Sequence, residues 1–319
     1  MSGLRSASRK VLKDAVATSL PLYKIIIPIS LVTKLLTEFG LTERLGAGLA
    51  PVMEVVGLPG SMGLVWATAM VTNLYGGMVV FASLAPDAAL SVAQVTVLTT
   101  MMLVAHALPV ELRIAQKAGT RFRVMAGLRL GGAFILGWLL FRFYALTGTL
   151  QSSNKAIWVP ATTPDPTWLS WLTGEARNMI MIFLIIAGLL ATMRLLEYFG
   201  IVEFMKMLLK PVLKLLGIGQ EAAPLTIIGM TLGISYGGGL ILREAQSGNL
   251  QKSDIFFSLV LMGLCHSLFE DTMLMMVMGA HLSGIFWARL VFALLVVALL
   301  ARICRRLPAG VFERFFLRT

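Results

Sequence analysis

Two histidines stand at equivalent places of an internal repeat, and each precedes an acid by five residues. His106 comes before Glu111, and His266 comes before Asp271, with an offset of 160 residues between the copies. Imidazole and carboxylate groups can carry a proton or ligate a cation. Side chains five residues apart do not share one face of a regular helix, so each pair can meet only where the helix unwinds, as Pro109 permits in the first copy. This pattern predicts an ion pathway; the alternative is that both acids only cap helix ends.

A tyrosine–glycine motif precedes each histidine, inside the apolar segments 61–84 and 222–242. Such residues at membrane depth predict a broken helix or a re-entrant hairpin, because irregular backbone is tolerated there only when it is buried in protein or lines a cavity. Free glycine N–H groups would suit an anionic or hydroxyl-bearing ligand and the tyrosines a planar one, whereas close helix packing is the alternative. The predicted substrate and ion pathway comprises Asn73, Tyr75, Gly76, Gly77, His106, Glu111, Ser235, Tyr236, Gly237, Gly238, His266, Glu270 and Asp271.

The composition predicts an integral membrane protein. Hydrophobic residues make up 57% of the 319 residues and charged residues only 13%, against about 25% charged in a typical soluble domain. The net charge of +11 comes from basic residues beside apolar runs, which is typical of cytoplasmic loops. Nucleic acid is therefore not an expected partner. The chain has no phosphate-binding Gly-Lys motif, and we expect no enzyme activity.

The apolar runs divide the chain into two similar halves. Each half is expected to have a spanning helix (21–37 and 178–196), an interfacial helix (43–57 and 201–216), the broken segment, and two further spans (89–111 with 124–147, and 255–279 with 284–303). The expected organisation is a cytoplasmic amphipathic helix at 1–20, a first repeat at 21–147, an extracytoplasmic connector at 148–177, a second repeat at 178–303 and a basic cytoplasmic tail at 304–319.

Loop charges orient the two halves. The loop after the first histidine segment is basic from Arg113 to Arg129, whereas the matching loop at 279–284 has no lysine or arginine. Positive loops face the cytoplasm, so the repeats should be inverted, with both termini cytoplasmic and the protein in the cytoplasmic (inner) membrane. The expected fold is an all-α polytopic membrane protein of two inverted-topology repeats. Inverted repeats with discontinuous helices are typical of secondary transporters, which bind substrate near the midplane between the repeats.

The motifs resemble a known family. Asn73-Leu74-Tyr75-Gly76-Gly77 with His106-Ala107-Leu108-Pro109-Val110-Glu111, and their second copy, are similar to the nucleoside-recognition or Gate domain family of membrane proteins. That family includes spore maturation proteins A and B and the pore regions of concentrative nucleoside transporters and of the ferrous iron transporter B family. The resemblance covers most of 21–303 and implies the same order of elements twice. Unlike the cysteine-bearing iron pore, this chain has Ala105 opposite Cys265, so a paired thiolate site is absent.

Three functions are compatible with these features. The first is movement of a small polar solute, nucleoside-like or anionic, coupled to Na⁺ or H⁺ without another cofactor. The second is a membrane subunit or scaffold that depends on a partner and transports nothing itself. The third is a divalent-metal pathway through His106, His266, Glu111 and Asp271. Membrane lipids are expected around the protein, and a homodimer or a second membrane subunit is an expected partner.

Overall fold

The computed structural model of the chain describes residues 2–156, 167–232, 242–243 and 250–317, and these residues form helices without a β-strand. The predicted all-α class is thereby confirmed. The helices of the first half are α1 (Ser2–Glu38), α2 (Leu41–Glu54), α3 (Met62–Val71), α4 (Leu74–Ala88), α5 (Val92–Val104), α6 (Leu108–Lys117) and α7 (Phe122–Thr147).

The second half repeats this order at offsets of 160 or 161 residues. The counterpart of α4 lies mostly outside the described residues. The helices are α8 (Trp168–Tyr198), α9 (Ile201–Leu215), α10 (Ala223–Leu232), α11 (Lys252–Leu264), α12 (Glu270–Val277), α13 (Arg289–Cys304, preceded by a π-helical turn Ser283–Ala288) and α14 (Ala309–Phe316).

Five helices in the described part are long and apolar enough to cross a membrane. Many of their large apolar side chains are exposed, for example Leu169, Ile180 and Leu195 on α8. An apolar surface of this extent suits lipid and not water. The five are Val11–Glu38, Val92–Lys117, Phe122–Thr147, Trp168–Tyr198 and Ser283–Cys304.

Helices α5 and α11 occupy the centre of the molecule and are buried along nearly their whole length. Each was expected to belong to one unbroken span, over 89–111 and 255–279. Both spans are instead interrupted, because Ala105–Ala107 and Cys265–Phe269 leave the helical conformation. The interruptions fall at the two histidines and are therefore what positions the site.

The N-terminal segment is not separated from the first span. The sequence predicted an amphipathic helix at 1–20 and a new helix from 21, whereas α1 runs from Ser2 to Glu38 with Pro21 and Pro28 inside it. A proline inside a helix removes one backbone hydrogen bond without necessarily ending the helix. Side chains of α1 are buried on both sides of Pro21, including Ala15 and Ile26, and this packing holds the helix together.

Helices α1 and α8, the first helices of the two halves, pack against each other in antiparallel directions. Asp14 pairs with Arg194, and the Tyr23 hydroxyl donates to the Met179 carbonyl at 2.7 Å. Farther along, Ser30 donates to Glu175 at 2.7 Å. Residue numbers thus rise along α1 while they fall along α8. The inverted arrangement of the repeats and the orientation of either half in a membrane stay predictions.

The connector and the tail contain more helix than the sequence suggested. The segment at 148–177 was expected to be an aqueous connector, but α8 already begins at Trp168. In the tail, α14 docks near the start of α7, where the backbone N–H of Arg121 donates to the Phe316 carbonyl at 3.0 Å. The tail is therefore anchored to the turn between α6 and α7.

Candidate functional site

The unwound segments have the same backbone geometry in both halves. Ala105 has φ −134° and ψ 73°, and its counterpart Cys265 has φ −149° and ψ 81°. Ala107 and Ser267 both adopt a left-handed conformation, with φ of 47° and 44°. Residues other than glycine are rarely found there, and such strain persists where the surrounding structure enforces it. The shared geometry turns both histidines toward the boundary between the halves.

The two histidines meet directly. The Nε2 atoms of His106 and His266 are 3.2 Å apart, and the ring centroids are separated by 4.9 Å. Each Nδ1 faces a backbone carbonyl four residues earlier, that of Met102 at 3.0 Å and that of Met262 at 2.8 Å. Because a carbonyl can only accept, each Nδ1 carries a hydrogen, and Nε2 of a neutral ring presents a lone pair. Two such lone pairs repel each other unless a proton or a cation lies between them.

Glu111 joins both histidines from the first turn of α6. Its Oε1 atom lies 3.6 Å from Nε2 of His106 and 3.4 Å from Nε2 of His266. Its Oε2 atom accepts a hydrogen bond from Arg129. All four side chains are buried. The carboxylate therefore contacts the histidine of its own half and that of the other half.

Arg129 and Arg289 are two cluster residues that the sequence analysis missed. The run from Arg113 to Arg129 was interpreted as a basic cytoplasmic loop, but Arg129 lies inside α7 and is 1% exposed. Its counterpart Arg289 begins α13 and is 0% exposed. The available signal was that both arginines lie within apolar segments at an offset of 160 residues, as the histidines do. A paired arginine inside a membrane segment is typical of a buried polar cluster.

The arginines are bonded differently in the two halves. Arg129 donates three hydrogen bonds. Its Nε donates to the Val104 carbonyl at 2.9 Å, its Nη2 donates to the His106 carbonyl at 3.0 Å, and its Nη1 donates to Glu111. Within the described ranges, Arg289 makes one equivalent bond, from Nη2 to the His266 carbonyl at 3.0 Å.

Among the described residues, Nε and Nη1 of Arg289 have no hydrogen-bond partner, and neither has Oδ2 of Asp271. Asp271 nevertheless belongs to the cluster, because it offers a carboxylate oxygen within 4.8 Å of ligand atoms of both histidines. Glu270 lies beside it in the first turn of α12. Both acids also suit the positive end of the α12 dipole, so the helix-capping interpretation applies to them as well.

The first tyrosine–glycine motif lies in a helical hairpin formed by α3 and α4. The chain breaks at Thr72 and Asn73, inside the segment where the break was predicted, and the Asn73 side chain caps α4 by accepting from the Gly76 N–H at 2.9 Å. The Gly77 N–H donates to the Asn73 carbonyl at 3.2 Å. Neither glycine N–H is therefore free for a ligand, contrary to that expectation.

The glycines instead allow close helix packing. A Cβ atom added to Gly77 would lie 2.8 Å from the Cβ of Ala69, eight residues earlier on α3. Residues eight apart in one straight helix lie about 12 Å apart along its axis, so this approach shows that α4 folds back on α3. The helix-packing alternative describes these glycines better than the ligand alternative.

Tyr75 reaches toward the other half. It is half-buried, and the carboxylates of Glu270 and Asp271 act on it electrostatically. The second motif, Ser235, Tyr236, Gly237 and Gly238, lies outside the described residues. The structure therefore brings together His106, His266, Glu111 and Asp271, with Tyr75 and Glu270 beside them and Asn73, Gly76 and Gly77 in the adjoining hairpin.

Two comparisons with known proteins agree with these features. The chain is 25% identical over 288 residues to the uncharacterized membrane protein YvoD of Bacillus subtilis (strain 168), a match that covers 89% of this chain and 90% of that protein. No solved structure matches the chain. The apolar helices and this relative together identify a multi-pass membrane protein. Residues 19–121 match the model of the Gate family, described as nucleoside recognition, so the predicted resemblance to that family is confirmed over this part of the chain.

Proposed function

We propose that the protein is a transporter that moves a small polar solute, nucleoside-like or anionic, across the cytoplasmic membrane in a process coupled to an ion. The observation that carries the proposal is the pair of helices interrupted at the same place, with buried ionisable groups at both interruptions. Ionisable residues are costly at membrane depth and usually mark a pathway. Discontinuous helices that meet between two repeats are the usual site of substrate and coupling ion in secondary transporters.

The similarity of residues 19–121 to a nucleoside-recognition family supports the solute class. Tyr75 is the side chain best placed to contact a planar solute, since it lies in the hairpin of the first half and faces the acids of the second half. We propose that both termini lie in the cytoplasm, in line with the basic loops.

The conformation described is closed around the cluster. His106, Glu111 and His266 are 6%, 7% and 3% exposed. A cavity of about 460 Å³ lies elsewhere, between the start of α5 and the end of α7. Movement of a solute through the cluster therefore requires the hairpin or the interrupted helices to open, as alternating access demands.

The experiment is thermal unfolding of the purified full-length protein in detergent with a panel of nucleosides, nucleobases and organic anions, each with and without Na⁺. A solute at about one hundred times its Kd should stabilise the protein by about 2.7 kcal/mol. Uptake of the same solute into proteoliposomes, with and without an ion gradient, then separates transport from binding.

A matched pair of variants locates the solute. Tyr75→Leu should abolish the solute-dependent shift, whereas Tyr198→Leu, at a tyrosine that is 84% exposed on α8, should leave it unchanged. Failure of every solute to stabilise the protein, together with absence of uptake, would contradict the proposal and favour the partner-dependent subunit. Co-purification from the native membrane would then be the next measurement.

A further inference from the structure

We propose that His106, His266 and Glu111 bind a divalent transition metal ion of the Zn²⁺ class, with Asp271 supplying the fourth ligand. The inference concerns the cluster of the proposed function and names a ligand for it. The metal site would exist whether or not the protein moves a solute.

The distances among the three facing atoms match those around a tetrahedral metal. Nε2 of His106, Nε2 of His266 and Oε1 of Glu111 form a triangle with sides of 3.2, 3.4 and 3.6 Å. Zinc bonds to nitrogen and carboxylate oxygen are about 2.0–2.1 Å long, so the edges of a regular tetrahedron of ligands are about 3.3–3.4 Å. One ion at the centre of such a site would satisfy three lone pairs that otherwise repel.

A shared proton accounts for only part of this geometry. The two Nε2 atoms, 3.2 Å apart, are close enough to share a proton, but the carboxylate would then have no bond to either ring. A protonated histidine beside a carboxylate forms a hydrogen bond of about 2.7–2.9 Å. The Glu111 oxygen is 3.4 Å and 3.6 Å from the two rings, which is too long for such a bond to either.

The groups behind the ligands are those that metal sites use. Metal-bound histidines almost always donate their other ring N–H to a carbonyl or a carboxylate, which fixes the tautomer. Nδ1 of His106 and Nδ1 of His266 face the carbonyls of Met102 and Met262. The second oxygen of Glu111 is held by Arg129. Each of the three ligands is therefore oriented by a bond on the side away from the proposed ion.

Asp271 completes the ligand set. It offers an oxygen within 4.8 Å of the ligand atoms of both histidines, and its Oδ2 is buried without a hydrogen-bond partner in the described part of the chain. Two imidazoles with carboxylates suit zinc and neighbouring transition metals, whereas Mg²⁺ prefers oxygen ligands alone.

The test is metal binding to the purified full-length protein after chelation, by equilibrium dialysis against ZnCl₂, CoCl₂ and MgCl₂ with elemental analysis. We expect one Zn²⁺ per chain and no comparable binding of Mg²⁺. Loss of one orienting group lowers metal affinity by 10–100-fold, so loss of a ligand in His106→Ala or His266→Ala should lower it by more than about 100-fold. His281→Ala is the matched control, because His281 is exposed and lies outside the cluster.

A conservative variant guards against misfolding of the alanine variants. His266→Cys keeps a ligand, so it should retain Zn²⁺ and change the visible absorption of bound Co²⁺, because a thiolate replaces an imidazole. Absence of Zn²⁺ binding in the wild type would overturn the proposal, and so would binding that survives both histidine variants.

The same preparations separate this proposal from the transport proposal. A solute-induced thermal shift that survives chelation, in a protein that binds no Zn²⁺, would overturn the metal site and leave the transporter standing. Zn²⁺ binding without any solute-induced thermal shift or uptake would support the metal site and contradict the transport proposal.

Discussion

The two halves of the cluster share a backbone but differ in their charge pairing. In the first half, Arg129 is bonded through all three of its nitrogens, one of them to Glu111. In the second half, Arg289 is bonded through one nitrogen, and Asp271 has an oxygen without a partner among the described residues. The two halves thus share the interruption of the helix, whereas the acid of the second half is one methylene shorter. In the first half, the arginine and the acid form an ion pair. In the second half, polar groups of the arginine and the acid remain available to bind a ligand.

The largest expected effect comes from removing each arginine in turn. Arg129→Met leaves the Glu111 carboxylate buried without its counterion, which should cost about 3–5 kcal/mol of the free energy of unfolding. Arg289→Met removes the one hydrogen bond that Arg289 makes within the described part of the chain, so it should cost about 1.5 kcal/mol or less. Reversible unfolding of both variants in mixed micelles measures the difference. Equal costs would show that the two arginines are equally paired.

An intermediate effect is expected from exchanging the acids. Glu111→Asp shortens the side chain and weakens the bond of its carboxylate to Arg129. It should lower the free energy of unfolding by about 1–3 kcal/mol, the usual cost of a buried charge with incomplete hydrogen bonding. Asp271→Glu breaks no bond found in the described residues and should cost less than Glu111→Asp. The same unfolding measurement checks both, and a larger loss in Asp271→Glu would contradict the assigned asymmetry.

The order of elements could be predicted from the sequence, because the repeated apolar runs and Gly-Pro breaks report local preferences. The unwinding at the histidines was only a condition in the sequence analysis: His106 and Glu111 cannot share a face of a regular helix, so they meet only if the helix unwinds. The burial of Arg129 could not be predicted from local charge. The sequence around an arginine near a basic loop is the same whether its side chain faces water or a buried carboxylate. The role of Gly77 could not be decided from the sequence, because glycine occurs both at helix breaks and where a neighbouring helix packs closely. Its close approach to Ala69 appears only in the fold.

The smallest effect on stability is expected at the N-terminal caps of α5 and α11, the helices that end just before the two histidines. Ser91 caps α5 in a reciprocal capping box with Gln94, whereas the equivalent Gln251 makes no side-chain cap on α11. Ser91→Ala should cost about 1 kcal/mol, the usual value of such a cap. Gln251→Ser should stabilise by up to about the same amount. Thermal unfolding of the two single variants measures both changes. A loss of stability in Gln251→Ser would show that contacts other than the cap determine the residue preferred at the N-terminus of α11.

Each unwound segment also makes a backbone hydrogen bond to a short helix of its own half, α3 or α10. The Ala107 N–H donates to the Ala69 carbonyl of α3 at 3.0 Å, and the Leu268 N–H donates to the Met230 carbonyl of α10 at 2.8 Å. These two bonds join the residue after His106 to α3, and the second residue after His266 to α10. Because of these bonds, we expect a shift of α3 or α10 to move the unwound segment of the same half. An opening that displaced either helix would therefore also change the distance between the two rings, and an ion held between them would lose its ligands.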